Sequence, residues 1–238
     1  MAVIEVEDLA YGWQGEGGTY RVEVAALSIA PDSRIVLTGP SGSGKSTLID
    51  VLALALAPSV ARRFTLNMDG TPVDLARLWQ RGGRGREALA RLRARLIGYV
   101  PQTGGLLPYL SVEGNIALTQ RLSGRPDRAR IADLAQRLEI ADLLPRMPES
   151  LSVGQRQRVA IARALAHRPL LVLADEPTAS VDPVRAAAIL DLLFEASAGS
   201  ALVIASHDAD GLAGRAPLRL SPRITTGAGG TTAVFVPC

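Results

Sequence analysis

The sequence predicts an α/β fold with a largely parallel central sheet. Short apolar runs alternate with helical patterns along the 238 residues, and no internal repeat interrupts them. Some of these runs are unbroken apolar stretches, which is typical of strands that are covered on both faces. The predicted strands span residues 34–38, 97–100, 170–174 and 201–205. The length favours one compact domain over several.

Composition narrows the class of protein. The longest near-continuous apolar run covers residues 51–57, far short of the roughly 20 residues that a membrane-spanning helix needs. The first ten residues are acidic, whereas a secretory signal is basic and apolar, so we expect a cytosolic protein. Cys238 is the single cysteine, which excludes an intramolecular disulfide and indicates a spectator thiol.

The basic residues are unevenly distributed. Seven arginines and one acid, Glu87, lie between Arg77 and Arg95, although the net charge is only +3. We interpret this stretch as a solvated loop leading into a helix, with a patch for nucleic acid or anionic lipid as the alternative. Lys45 is the only lysine of the chain. A lysine among so many arginines indicates a position that requires a compact ammonium.

A polar group follows each predicted strand at once. Ligands of open α/β sheets bind beyond the carboxyl ends of the strands, so we expect these groups to converge on one site. In chain order they are residues 39–47, Gln102, the pair Asp175 and Glu176, and the pair Ser206 and His207.

Residues 39–47 read GPSGSGKST, which satisfies the phosphate-loop pattern G-x-x-x-x-G-K-[ST] between a strand and a predicted helix over 46–56. Backbone N–H groups of such a loop surround phosphate oxygens, Lys45 reaches the β- and γ-phosphates, and Ser46 offers a hydroxyl to Mg²⁺. The predicted nucleotide contacts are Gly39, Pro40, Ser41, Gly42, Ser43, Gly44, Lys45, Ser46 and Thr47.

Acidic and imidazole groups complete the predicted chemistry. Asp175 ends a strand where a carboxylate helps to hold Mg²⁺, and we predict that Glu176 polarises the attacking water. His207 is placed to donate a hydrogen bond to the γ-phosphate. His167 is expected to contact helix-terminal carbonyls and has no predicted chemistry. Kinases and GTPases carry the same kinds of motif, so these residues alone do not decide the class of nucleotide-hydrolysing protein.

Residues 151–165 read LSVGQRQRVAIARAL. Ser152 and Gln155 form a predicted capping box, and the helix that follows runs to about His167. Its amino terminus provides a second anion site. This stretch resembles the signature motif of ATP-binding cassette (ABC) proteins, and its position between Gln102 and Asp175 matches the order in that family.

The resemblance covers nearly the whole chain and implies a role for each motif. Lys45 belongs to the phosphate loop, and Gln102 is the glutamine that contacts the metal and the catalytic centre. Asp175 and Glu176 are the metal and catalytic carboxylates, and His207 is the switch histidine. The further nucleotide contacts implied are Ser152, Gly154 and Gln155 of the signature, Asp182 of the following loop, and Trp13, with Tyr11 as the alternative, stacked on adenine. Two positions depart from the family pattern, Val153 in the signature and the loop around Asp182.

The family also implies an architecture and partners. We expect one domain, residues 1–238, with a RecA-like P-loop core and an amino-terminal antiparallel β part formed by 1–104 and 151–238, and a helical subdomain at about 105–150. The resemblance is greatest to lipoprotein-releasing, macrolide-exporting and cell-division cassettes. It implies ATP and Mg²⁺ as cofactors, a head-to-tail pair of cassettes, and an integral membrane permease at the cytoplasmic face of the inner membrane.

Sequence features exclude some of the other functions that such cassettes serve and leave one open. DNA-repair cassettes carry long coiled coils between the glutamine loop and the signature, but here that gap is short and lacks heptads, so no nucleic acid is expected. Translation factors carry two cassettes in one chain. A regulatory ATPase that acts on a membrane complex without transport, as in cell division, remains the alternative.

Overall fold

The computed structural model describes residues 2–15, 18–68, 70–179, 181, 183–207, 212, 214–227 and 230–238. The chain divides into two compact units. Unit 1 contains Met1–Ala90 and Val203–Cys238, and unit 2 contains Arg91–Leu202. Unit 1 is therefore built from both ends of the sequence.

Unit 1 is organised around a twisted mixed sheet. The first two strands, β1 (Ile4–Gly15) and β2 (Gly18–Ile29), form a long antiparallel hairpin in which Trp13 pairs with Tyr20. The order of neighbouring strands is β5-β4-β1-β2-β10-β9-β3. The further strands are β3 (Arg34–Leu37), β4 (Arg63–Met68), β5 (Thr71–Asp74), β9 (Leu218–Gly227) and β10 (Gly230–Pro237).

The first helix, α1 (Lys45–Leu52), follows the phosphate loop and is shorter than the predicted 46–56. Leu54 has a φ of 58°, a left-handed conformation that ends a right-handed helix. The N–H groups of Ala55 and Leu56 then donate to the carbonyl of Asp50. The apolar residues beyond Leu52 therefore form a turn, because the backbone reverses its handedness there.

Unit 2 combines a short parallel strand pair with helices. Strands β6 (Ile97–Val100) and β7 (Leu171–Asp175) are parallel, with Val100 opposite Ala174. The helices are α4 (Val112–Ser123), α5 (Arg128–Arg137), α6 (Val153–Leu165) and α7 (Pro183–Ala196), with short 3-10 helices at Ala141–Leu143 and Pro148–Ser150. Among the described helices, none is long and apolar enough to cross a membrane.

The arginine-rich stretch is helical, so the predicted loop is wrong. It forms α2 (Leu75–Gln80) and most of α3 (Gly82–Leu96). The side chain of Asp74 caps α2 by accepting a hydrogen bond from the Arg77 N–H. The arginines of this stretch are exposed, as expected of a solvated surface.

The predicted buried strands are confirmed as β3, β6, β7 and β8 (Ala201–Ala205). Every residue of β7 and β8 is buried, which explains their unbroken apolar sequences. The α/β class with a parallel component is thereby confirmed.

Candidate nucleotide-binding site

The phosphate loop joins β3 to α1 in unit 1. Gly44 is the N-cap residue of α1, with a φ of 91° in the left-handed region. A Cβ atom at Gly44 would lie 2.4 Å from Cγ2 of Val22, a residue of β2. Glycine is required at this position both by the backbone conformation and by the close approach of a neighbouring strand.

Lys45 closes the loop from within. Its ammonium Nζ donates hydrogen bonds to the carbonyl oxygens of Gly39 at 2.9 Å and Pro40 at 3.1 Å. The residue is only 5% exposed. These bonds hold a positive charge inside the turn whose backbone N–H groups begin α1, an arrangement suited to binding an anion.

Tyr20 is a residue that the motif analysis missed. Its hydroxyl on β2 donates a 2.6 Å hydrogen bond to the carbonyl of Gly42, in the middle of the phosphate loop. The only signal in the sequence is its place in the predicted amino-terminal β part, and its pairing with Trp13 emerges only in the structure. The bond fixes the loop from a strand that lies more than twenty residues earlier in the chain.

Trp13 lies on β1 and is 37% exposed. Its ring centroid is 4.7 Å from that of Tyr20 and 5.8 Å from that of Tyr11. Trp13 and the phosphate loop are thus linked through Tyr20. An exposed aromatic face beside a phosphate-binding loop is suited to stacking on a nucleobase.

His207 follows β8 at the same edge of unit 1 as the phosphate loop. The N–H of the preceding residue, Ser206, donates a 3.0 Å hydrogen bond to the carbonyl of Leu37 at the end of β3. His207 itself is exposed. The imidazole therefore follows a strand end that is hydrogen-bonded to the strand end from which the phosphate loop begins.

Unit 2 brings Gln102 and the two acids to one edge. Because Val100 of β6 lies opposite Ala174 of β7, the residues that follow both strands lie side by side. Asp175 is 7% exposed, whereas Gln102 is in an exposed turn. Two of the three predicted metal ligands, Gln102 and Asp175, therefore follow neighbouring strands of this unit, whereas the third, Ser46, belongs to unit 1.

Glu176 has an unusual backbone. Its φ of 44° lies in the left-handed region, which non-glycine residues seldom adopt. Such strained conformations concentrate at functional sites, where the surrounding structure holds them in place. The turn after β7 thus gives Glu176 a backbone conformation different from that of Asp175, the last residue of the strand.

The signature segment forms the predicted capping box. The Ser152 hydroxyl accepts a 3.3 Å hydrogen bond from the Gln155 N–H, and the Gln155 side-chain oxygen accepts a 2.9 Å bond from the Ser152 N–H. Ser152 is exposed, and Val153, which departs from the family pattern, is 43% exposed. Gly154 occupies the first turn of α6, and the helix presents its amino terminus to solvent.

His167 is a buried residue that forms a hydrogen bond to the backbone of strand β6. Its Nε2 lies 3.2 Å from the carbonyl of Ile97 on β6, so the bond is to a strand and not to the helix-terminal carbonyls that we predicted. Burial lowers the pKa of His167 from its ordinary value to about 4. The neutral ring thus joins the end of α6 to β6.

The predicted site residues divide between the units. Asp182 lies outside the described residues. Unit 1 contains Trp13, Gly39, Pro40, Ser41, Gly42, Ser43, Gly44, Lys45, Ser46, Thr47 and His207, and unit 2 contains Gln102, Ser152, Gly154, Gln155, Asp175 and Glu176.

A phosphate loop between a buried strand and a helix defines a P-loop nucleotide-binding protein. The sequence profile of the ABC transporter family matches residues 22–179. The chain is 40% identical over 213 residues to the lipoprotein-releasing system ATP-binding protein LolD of Bordetella pertussis (strain Tohama I), covering 85% of this chain and 86% of the relative. The LolD protein of Maricaulis maris (strain MCS10) is 36% identical over 245 residues, with 99% and 98% covered. The chain belongs to the ABC transporter family, as an ATP-binding cassette with ATPase activity.

Solved structures support the same assignment. The dimeric structure of MJ0796, described as a bacterial ABC transporter cassette, has a TM-score of 0.74 and 26% identity, and covers 92% of this chain and 93% of that one. A second structure of MJ0796, in a post-hydrolysis state bound to ADP and Pi, has a TM-score of 0.73 and 25% identity with the same coverage. The predicted P-loop fold and ATPase activity are confirmed.

Proposed function

We propose that this cassette binds ATP in head-to-tail pairs and energises a separate membrane permease of the lipoprotein-releasing type. The observation that carries the proposal is the phosphate loop with its buried Lys45, combined with a capped, exposed signature helix amino terminus at Ser152. In this proposal, Lys45 of one copy and Ser152 of the other hold the same ATP.

The phosphate loop is the site that we assign to the triphosphate. The Ser43 hydroxyl is buried and has no hydrogen-bond partner among the described residues, a donor that a phosphate oxygen would satisfy. Ser46, Gln102 and Asp175 offer hydroxyl, amide and carboxylate oxygens, which are donors that Mg²⁺ accepts together with phosphates. These residues would hold Mg²⁺, which when bound neutralises charge on the β- and γ-phosphates.

We assign hydrolysis to Glu176 and His207. The carboxylate of Glu176 accepts a hydrogen bond from the attacking water and orients it toward the γ-phosphate, and His207 donates a hydrogen bond to that phosphate. Lys45 stabilises the charge on the transferring group, and Trp13 stacks on adenine. Most of the catalysis comes from positioning and charge stabilisation, because phosphoryl transfer needs little covalent chemistry from the protein.

Pairing of two cassettes explains how ATP drives the work. Ser152, Gly154 and Gln155 of one copy contact the γ-phosphate held by the other, and ADP, which has no γ-phosphate, cannot make those contacts. This difference in affinity is what a ligand-driven switch requires. The solved MJ0796 cassette that resembles this chain is described as dimeric.

The permease places the cassette at the cytoplasmic face of the inner membrane. A relative whose name describes a lipoprotein-releasing system is 40% identical to this chain. A regulatory ATPase that acts on a membrane complex without transport would use the same site, and it is the second candidate. Co-purification in mild detergent tests the membrane partner that both candidates require: a large polytopic protein supports it, whereas nucleic acid or ribosomes would contradict it.

Replacing Glu176 with Gln tests the assignment of the catalytic base. We expect Glu176→Gln to retain ATP affinity, to lose turnover by about a hundredfold or more, and to accumulate an ATP-dependent dimer in size-exclusion chromatography. Glu5→Gln is the matched control, because Glu5 forms an ion pair with Arg63 on the amino-terminal sheet and should leave turnover unchanged. Near-normal turnover of Glu176→Gln would remove the assignment.

A further inference from the structure

Arg163 occupies an unusual position on the signature helix. Its guanidinium donates two 2.8 Å hydrogen bonds, from Nη2 to the carbonyl of Gly104 and from Nη1 to that of Gly105. No carboxylate among the described residues forms an ion pair with it. Burial lowers the pKa of this guanidinium. The charge is therefore held by the two carbonyls of one loop.

The loop that accepts these bonds carries Gln102. The Gly104 N–H donates a 3.1 Å hydrogen bond to the carbonyl of Pro101, which closes a turn around Gln102. Gly104 and Gly105 have φ values of 73° and 53°, so two consecutive residues are left-handed. Two adjacent carbonyls are thereby both within reach of one guanidinium, whose fork of donors suits bidentate recognition.

Helix α4 also forms hydrogen bonds to Arg163 and to the loop that follows Gln102. The Thr119 hydroxyl donates a 2.7 Å hydrogen bond to the backbone carbonyl of Arg163. Asn115 is fully buried, and its amide oxygen accepts a 2.8 Å bond from the Leu107 N–H while its amide nitrogen donates to the Leu107 carbonyl at 3.1 Å. The glutamine loop is thus held by α6 at one point and by α4 at the next.

The same helix carries the signature at its other end. Ser152 caps α6, and Arg163 lies eleven residues further along, about 16 Å at the rise of an α-helix. Through the bonds of Arg163, α6 therefore connects the signature tip at its amino terminus directly to the glutamine loop.

We propose that Arg163 is a positioning residue that couples the signature helix and α4 to Gln102. The proposal rests on the Mg²⁺-binding role proposed for Gln102. Arg163 itself contacts neither nucleotide nor metal in this proposal. It sets the place of the Gln102 amide by fixing the carbonyl of Gly104, which closes the turn, and that of Gly105, which follows it.

The test compares Arg163→Lys with Arg158→Lys in the full chain. Arg158 is five residues earlier on α6, and its guanidinium donates to the carbonyl of Leu138 and pairs with Glu139, so it bonds a different segment. We expect Arg163→Lys to reduce kcat by about tenfold to a hundredfold with a nearly unchanged KM for ATP, since small misplacements have effects of that size. Arg158→Lys should leave both constants near wild type.

Hydrogen exchange separates positioning from general destabilisation. Backbone amides of residues 102–107 should exchange faster in Arg163→Lys, while the rest of α6 and the thermal midpoint stay as in Arg158→Lys. Unchanged exchange in residues 102–107 would overturn the proposal that Arg163 holds this loop. This readout does not depend on ATP turnover, so it tests the role of Arg163 even if the role proposed for Gln102 is wrong.

A double-mutant cycle with Gln102→Ala tests the route of the effect. If Arg163 acts through Gln102, Arg163→Lys should cause no further loss of kcat in the Gln102→Ala background. Multiplicative losses would overturn the proposal for Arg163. Wild-type turnover of Gln102→Ala alone would instead overturn the function proposed for Gln102.

Discussion

Single residues of the proposed nucleotide site adopt backbone conformations or make contacts that other residue types could not easily reproduce. Gly44 is left-handed and its missing Cβ leaves room for Val22, and Lys45 turns its ammonium back onto the loop carbonyls. Glu176 accepts a similarly unfavourable φ despite its side chain. At this scale, function rests on conformations that cost energy and that the surrounding strands and helices maintain.

The first prediction concerns Gly44. We expect Gly44→Ala to weaken ATP binding by at least about tenfold, because left-handed strain of about 1–2 kcal/mol adds to the overlap with Val22. Isothermal titration calorimetry with ATP measures the loss. Gly83→Ala is the matched control, since a Cβ there meets no atom within 4 Å. Equal affinities of the two variants would contradict the role of the Gly44 conformation.

Among the elements, α6 combines a surface role with a buried one. Its amino terminus, capped by Ser152, is exposed, whereas its carboxyl end is attached to β6 through His167 and to the glutamine loop through Arg163. The neutral imidazole of His167 donates from Nε2 to the Ile97 carbonyl. Protonation would place a charge at a residue that is 1% exposed.

This burial predicts a pH dependence of stability. The pKa of His167 is about 4 in the folded chain and ordinarily 6.5, so the unfolded chain binds the proton first. The contribution of neutral His167 to the free energy of unfolding is complete above pH 6.5, the pKa in the unfolded chain. It is lost at up to about 1.4 kcal/mol per pH unit as the pH falls from 6.5 toward 4.

Urea unfolding of the wild type and of His167→Gln measures this effect. Glutamine keeps an N–H donor for the Ile97 carbonyl but does not titrate in this range. We therefore expect the variant to lose less unfolding free energy than the wild type between pH 7 and pH 5. Parallel losses in both proteins would show that His167 does not titrate on unfolding.

Considering the whole molecule, the chain leaves unit 1 at Ala90 and returns to it at Val203. Strand β10 pairs with β2 in parallel, with Thr231 opposite Tyr20, so the two ends of the sequence share one sheet. Trp13 and Lys45 belong to this unit, and the signature belongs to the other. In the proposed dimer, each ATP site combines Lys45 of one copy with Ser152 of its partner.

Mixing two inactive variants tests that composite site. Lys45→Ala removes the ammonium, and Ser152→Asp keeps an N-capping oxygen while repelling phosphate. Neither variant alone has a complete site, but a mixed head-to-tail dimer contains one. An equimolar mixture should recover about a quarter of wild-type turnover if the sites act independently. Turnover equal to the average of the separate variants would contradict the composite site.

Much of the local structure of the predicted site residues could be inferred from the sequence, because its signals are local. The phosphate loop is specified by glycines and one lysine within residues 39–47, and the capping box by Ser152 and Gln155. The buried strands were recognisable because they are apolar throughout. The helix after the phosphate loop was predicted too long, since the apolar sequence beyond Leu52 does not reveal the left-handed Leu54.

The sequence by itself determined the P-loop class, the family and the order of the motifs, because each motif acts through neighbours only a few residues away. Only the tertiary structure decided that Tyr20 holds Gly42, that His167 bonds Ile97, and that Arg163 holds the loop of Gln102. Those contacts join segments far apart in the chain. Their geometry depends on strand register and helix packing, which no local pattern specifies.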